Sequence, residues 1–318
     1  RYRRATLAID FDKAAERLRN WGRWGEDDQR GTINHVGPEA LKRAAAEVVS
    51  GKLISLGLEF SQDGPQIPEI TKRPNPQLLA SDLDQIFNPA NPRSRFNDDV
   101  IVMPLQSATQ WDALSHVHYD GEMYNGCKAS ECLTARGTKK NGVHHLGSPG
   151  IMSRGVLLDI ARLHGVDELP ADHKISPDEL NRACEKFGVT VEAGDIVVVR
   201  TGHLRTFTVR KDKTKVAGFQ AGLGAECAEW LYDKSAAAVA ADNIAVEFLG
   251  MESLTQEVVL PFHMLAIRDM GMPLGELFDL EALSQDCAAD GRYSFLLSAP
   301  PLKVTGAFGS PINPIVLK

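Results

Sequence analysis

Apolar and polar residues follow one another along this chain in short blocks whose repeat switches between about two and about 3.6 residues, the mark of strands interleaved with helices. From Pro38 to Val49 the spacing predicts a helix, with proline in its first turn, apolar positions at Leu41, Ala45 and Val48 or Val49, and Gly51 beyond its end. The run K-L-I-S-L-G-L-E-F after it reads as a strand. Between Gln62 and Arg95 periodicity fades and Pro, Asn and Asp accumulate, which predicts a long surface excursion, either a lid or an ordered insertion.

Further on, Gly155 to Ile160 is a short apolar strand, and Ser176 to Phe187 carries a full helix signature. Ser176 caps it, Pro177 opens it, Glu179 closes a capping box and Gly188 stops it. The unbroken I-V-V-V within Asp195 to Thr201 predicts a central strand covered on both faces. A helix over about Ala225 to Lys234, the small apolar strand A-A-A-V-A-A-D and a helical pattern around His263 after Pro261 complete an α/β alternation. No internal repeat or low-complexity linker divides it, so the 318 residues read as one domain.

Composition narrows the function. A content of 43% hydrophobic residues supports a sizeable core, and 42 acidic against 35 basic residues, net −7, argue against a nucleic-acid partner. The basic run Arg210 to Lys215 is short enough to be a solvated loop. No apolar run approaches the about 20 residues that span a bilayer, and the opening R-Y-R-R-A-T-L-A-I-D-F-D lacks the apolar centre of a secretory signal, although a start at Arg1 leaves a removed leader open. Five cysteines, Cys127, Cys132, Cys184, Cys227 and Cys287, are an odd number without a C-x-x-C pair; neither a disulfide framework nor a thiolate zinc site is expected, and a reducing, cytoplasmic setting follows.

Candidate chemistry concentrates in Q-S-A-T-Q-W-D-A-L-S-H-V-H, Gln106 to His118. On a strand, Gln106, Ala108, Gln110 and Asp112 share one face while Thr109 and Trp111 take the other. His116 and His118 follow, types suited to metal ligation or proton transfer. An ordinary half-exposed strand would show the same alternation. Trp111 is a candidate substrate contact, although its position opposite Asp112 favours core packing; Tyr124, in the turn-rich Y-D-G-E-M-Y-N-G, is another substrate candidate.

Adjacent His144 and His145 read as surface or capping groups, and His35, His164, His173 and His203 are isolated in the sequence and carry no assignment. Trp21, Trp24 and Asn34 suit a capped turn or a contribution across a subunit boundary, and Arg200 suits either a cleft or a pairing with a nearby Asp. Gly222 and Gly224 form no phosphate-binding fingerprint, and no G-x-S-x-G elbow is present.

The Gln106 to His118 segment resembles the cyclase family of hydrolases, which includes bacterial kynurenine formamidase and isatin hydrolase and whose signature is H-x-G-T-H-x-D-x-P-x-H. Thr109, Asp112 and His116 match it; Gln106 and Gln110 stand where the leading histidines would be, Ala108 replaces the Gly and Leu114 the Pro. His263 to Glu276, H-M-L-A-I-R-D-M-G-M-P-L-G-E, looks like the family's later motif, and Gly194 to Gly202 is similar to its buried strand ending in Arg-Thr-Gly. W-G-E-D-D-Q-R-G-T-I-N and P-L-K-V-T-G-A-F-G-S-P are weaker matches near the two ends.

The resemblance implies the cyclase fold, a compact β-barrel-like core with helices packed outside, a small-molecule substrate and a homodimer or higher homo-oligomer. It also implies one divalent ion (Mn, Zn or Mg) on Asp112, His116, His263 and Glu276. Amide oxygens are weaker donors than imidazoles, so Gln106 and Gln110 lower the affinity for transition metals. With an ion, hydrolysis of an amide, lactam or lactone is expected, His116 moving the proton and Gln110 orienting substrate or water. Gln106 and His118 are further substrate contacts. Without one, His116 or Glu276 as base and the glutamines as oxyanion donors would suit a lyase, dehydratase or ring-closing cyclase. A non-catalytic small-molecule binding protein is the third reading.

Overall fold

The computed structural model describes residues 9–254 and 258–318; residues 1–8, on which the reading of a leader rests, lie outside them. The strands that matter are β1 Leu53–Ser55, β2 Gln77–Asn88, β3 Asn91–Val102, β4 Gln110–Asp112, β5 Met152–Asp159, β6 Ile196–Arg200, β7 Ala238–Ala241, β8 Leu274–Glu276, β9 Ser294–Ser298, β10 Gly309–Pro311 and β11 Ile315–Leu317. Around them lie α1 Phe11–Leu18, α2 Pro38–Ala46, α3 Ile160–Leu163, α4 Pro177–Phe187, α5 Cys227–Asp233, α6 Pro261–His263, which runs on as a π-helix over Met264–Met270, and α7 Glu281–Asp290.

Nine strands form one curled, half-barrel sheet in the order β1-β11-β9-β5-β6-β7-β8-β4-β10. The centre, β5 to β8, is parallel; β1, β11 and β9 at one side and β4 and β10 at the other run antiparallel. The chemistry of the strands explains the layout. Every residue of β6 and β7 is buried, as a parallel strand with both faces covered requires. At the β8–β4 seam, Gly275 faces Trp111, and a Cβ on it would come within 2.7 Å of the indole, so only glycine lets these strands meet over that ring.

Two helix expectations fare differently. α4 has the full capping box, with Ser176 and Glu179 exchanging backbone bonds and Gly188 left-handed at its end. α2 stops at Ala46, and its buried residues are Ala40 and Ala44, while Leu41, Val48 and Val49 are exposed. The inward stripe is thus one residue away from the one its larger side chains predict. Close packing of α2 on β5 admits alanines there.

The excursion expected over 62–95 is no structureless loop. Its first part packs on the segment leading to β4, through Gln66 Nε2 donating to the Ser107 carbonyl at 2.9 Å. The rest is a two-stranded ribbon of β2 and β3, joined to no other strand among the described residues and exposed along nearly its whole length. Asn and Asp scattered among Leu78, Leu79, Leu83, Ile86 and Phe87 hid the strand pattern, and irregular pairing breaks its period.

The cysteine expectation is overturned: Cys127 and Cys132 form a disulfide, while Cys184, Cys227 and Cys287 are free. A short turn with a four-residue helix, Ala129–Cys132, folds the pair together, which a search for C-x-x-C spacing does not detect. The argument for a reducing, cytoplasmic setting drawn from unpaired thiols falls with it. Among the described residues no helix is long and apolar enough to cross a membrane.

Candidate active site

Strand pairing assembles the candidate site. Register sets Gln110 on β4 directly opposite Glu276 on β8, and Asp112, two residues on, faces the same way. Gln110 Nε2 donates to Glu276 Oε2 at 2.7 Å and more weakly to Asp112 Oδ1 at 3.4 Å. One amide therefore sits between two carboxylates that are both shut off from solvent.

After β4 the chain turns, His116 N–H bonding to the Ala113 carbonyl, and this returns His116 Nε2 to 3.7 Å from Asp112 Oδ1. From the other side α6 delivers His263. Its Nδ1 bonds Glu247 Oε1 at 2.5 Å, leaving Nε2 to face Glu276 Oε1 at 3.5 Å. Glu247 also accepts the backbone N–H of Phe262 at 3.0 Å and that of His263 at 3.4 Å, so it fixes both the start of α6 and the imidazole.

Backbone strain gathers at the same place. Val246, Leu260 and Leu277 are left-handed, with φ of 58°, 55° and 56°; they adjoin Glu247, open α6 and follow Glu276. Such conformations cost about 1–3 kcal/mol each and persist where surrounding structure holds them. The π-helix after His263 is a second departure from regular geometry of the kind found at functional positions.

Electrostatics sort the groups into roles. Burial lowers the pKa of His116, with the charges of His263 and Arg73 adding to it and Asp112 opposing, so its ring is held neutral and free to take a proton. Burial alone would lower His263, but Glu247 and Glu276 overcome it and raise the imidazole into the charged form. Glu276 is raised, first by burial and then by Asp112, against the pull of His263 and Arg73.

Asp112, His263 and Glu276 each offer a donor atom within 4.8 Å of the others. Asp112 Oδ2 and Gln110 Oε1 are buried with no hydrogen-bond partner among the described residues. Orphaned oxygens of this kind beside two carboxylates and an imidazole fit one hard to borderline divalent cation, the oxygens favouring Mg or Mn and the imidazole widening the range to Zn. His116, expected as a fourth ligand, stands outside this converging set.

The remaining candidates divide. The backbone carbonyl of Gln106 accepts from Arg73 Nη1 at 3.3 Å, and its side-chain amide lies over Gly309, where a Cβ would approach within 2.7 Å. Gly309 pairs with Asp112, so Gln106 borders the cluster. His118 is half-buried, and among the described residues no hydrogen bond or ion pair ties it to the cluster.

Two substrate candidates are corrected. Trp111 is fully buried between β8 and β10, its Nε1 donating to the Ala299 carbonyl at 2.8 Å and its ring edge-on to Phe278. Tyr124 is fully buried, with its hydroxyl on Asp28 Oδ2 at 2.9 Å. Both serve the core: the opposite face of β4 is the inside of the protein, and the turn around Tyr124 is anchored to the N-terminal segment.

Elsewhere Asn34 caps the early turn through Asp28 Oδ1 and the Gly31 carbonyl. Arg200 pairs with Asp159 at 3.0 Å and with Glu281 at 2.8 Å. Glu247 and Arg73 were not foreseen. Neither lies in a motif, and only the fold brings them to the site.

The Putative cyclase family model matches residues 54–248, more than half of the chain. A crystal structure described as a novel cyclase is similar at 38% identity and a TM-score of 0.85, covering 96% of this chain and 99% of that one. The chain therefore belongs to the cyclase family. Isatin hydrolase A from Labrenzia aggregata shares the fold at 15% identity and a TM-score of 0.63, over 86% of this chain and 97% of its own. Isatin hydrolase A from Ralstonia solanacearum does so at 18% identity and 0.61, over 88% and 98%. No curated protein matches.

Proposed function

We propose that this protein hydrolyses the C–N or C–O bond of a small carbonyl compound, an amide, lactam or lactone. The observation that carries the reading is a neutral, half-buried imidazole, His116, beside a carboxylate-rich set of donors that fits a divalent ion. The fold it shares with isatin hydrolases supports the same reaction class.

A divalent cation on Asp112, His263 and Glu276 would displace the proton that His263 Nε2 otherwise carries, supply Lewis-acid polarisation and lower the pKa of a bound water toward about 7. His116 Nε2 accepts the proton of the attacking water and returns it to the departing nitrogen or oxygen, while the oxygen of water bonds the carbonyl carbon; a carboxylic acid and an amine or alcohol result. Gln106 and Arg73 border the cluster from the side of the excursion and orient the polar end of the substrate. Glu247 holds the His263 ring.

A second reading, a metal-independent lyase or cyclase, draws on Gln110, whose amide already lies between the two carboxylates, and on the raised pKa of Glu276 as a proton carrier. A panel of amides, lactams and lactones assayed before and after chelation separates the two. Water incorporated into product and activity lost on chelation support hydrolysis; turnover untouched by chelation with no water added supports the second.

A homodimer or higher homo-oligomer belongs to the proposal as well. A lone two-stranded ribbon is marginal in water, yet β2 and β3 carry Leu79, Leu83 and Phe87 at 56, 66 and 76% exposure, with Val100 and Val102 at 49 and 57%. A second copy of this chain would cover that surface.

A further inference from the structure

We infer that His164, His173 and Glu179 form a second cation site, for zinc or a similar borderline divalent ion, which shares no residue with the candidate active site. His164 ends α3, His173 lies in the turn after Pro170, and Glu179 is in the first turn of α4. Both imidazoles reach the same atom: His164 Nε2 lies 2.7 Å and His173 Nε2 2.8 Å from Glu179 Oε1. All three donor atoms lie within 4.8 Å of one another.

The carboxylate divides its work. Glu179 Oε2 accepts the Ser176 backbone N–H at 2.9 Å and its hydroxyl at 3.1 Å, closing the cap of α4. The capping bond therefore holds the carboxylate in place while, among the described residues, Oε1 is left to the two rings. A cap needs no imidazole, and a single hydrogen bond would satisfy Oε1; two rings from two separate segments aimed at it exceed that need.

Two imidazoles and one carboxylate are a zinc donor set, with bonds of about 2.0–2.2 Å in a tetrahedral arrangement. Tetrahedral geometry places neighbouring donors about 3.3–3.5 Å apart, so each ring nitrogen would move roughly 0.5–0.8 Å away from Glu179 Oε1, and the two nitrogens, now within 4.8 Å of each other, would settle at the same spacing. On binding, each Nε2 turns a lone pair to the ion and its ring proton moves to Nδ1. The side chains of His164 and His173 are 31% and 23% exposed, which gives the ion a path in and leaves its fourth position to water. Hard cations that require all-oxygen shells are disfavoured by the two nitrogens. Bound there, zinc ties the end of α3 to the start of α4.

The test uses the full chain stripped of metal and titrated with zinc chloride, calorimetry giving stoichiometry and affinity. His164→Gln and His173→Gln each keep an amide donor for Glu179 while losing the imidazole ligand. Each is expected to bind one zinc fewer than the wild type, or to bind one class of zinc at least tenfold more weakly, and to show a smaller rise in Tm with zinc than the wild type does. Unchanged stoichiometry and affinity in both variants would overturn the site. Should either variant fail to fold, the wild type decides: stoichiometric zinc should shield His164 and His173 from carbethoxylation, read by peptide mapping separately from His263. Equal modification of the two with and without zinc overturns the proposal.

Discussion

Glu247→Gln is the sharpest probe of how the candidate site is held. The native carboxylate takes three donors, the ring Nδ1 of His263 and the backbone N–H groups of Phe262 and His263. Both side chains are buried, at 2% and 4% exposure, so water cannot replace a lost partner. A Gln offers one oxygen to these three donors and turns an amide N–H toward one of them. Leaving a buried donor unmet costs about 1–3 kcal/mol, and removing the charge that balances the His263 imidazolium brings the total to about 3–5 kcal/mol.

For a chain of this length that loss lowers Tm by roughly 4–8 °C, measurable by scanning calorimetry or by the urea midpoint. Divalent-ion affinity should fall about 10–100-fold, because the ring is no longer aimed. Glu276→Gln is the control. It relieves the pressure of one buried carboxylate on another, so it should leave Tm nearly unchanged while removing an ion ligand. A Glu247→Gln protein melting within about 1 °C of the wild type, or a Glu276→Gln protein falling equally far, would refute the assignment of Glu247 as the positioning carboxylate.

Other outcomes follow from the same structure. His116→Ala should lower kcat by about 10²–10⁴ with ion content unchanged; full turnover in a folded variant would remove His116 from the proton path. Leu83→Asp combined with Phe87→Asp should convert the proposed oligomer to monomer in light scattering, and an unchanged mass would show that the ribbon serves another purpose. Burial, followed by the charge of Arg23, pushes His35 down to about 4 from its ordinary 6.5. Unfolding raises that pKa, so stability is full above about pH 6.5 and falls as acid is added toward about pH 4, by about 1–2 kcal/mol after allowance for partial exposure. His35→Gln should flatten that part of the urea-midpoint profile, and an identical slope in the variant would assign the acid sensitivity to other groups.

What the amino-acid order settled was local. The capping box at Ser176 and Glu179, the buried I-V-V-V strand and the α/β alternation each depend on a few neighbouring residues, and each is present in the structure. The motif around Asp112 and His116 and the later one from His263 to Glu276 were visible as residue types, and Gln106 and Gln110 as departures from the family signature. Tertiary structure decided the rest. Gln110 and Glu276, 166 residues apart, meet because β4 pairs with β8, and Glu247 and Arg73 join them without any motif of their own. The inward stripe of α2, the pairing of Cys127 with Cys132 and the meeting of His164 with His173 were equally hidden. Spacing along a chain reports which side of a helix or strand a residue takes, whereas a site is made by the pairing and packing of distant segments, and the free energy of that packing belongs to the whole fold.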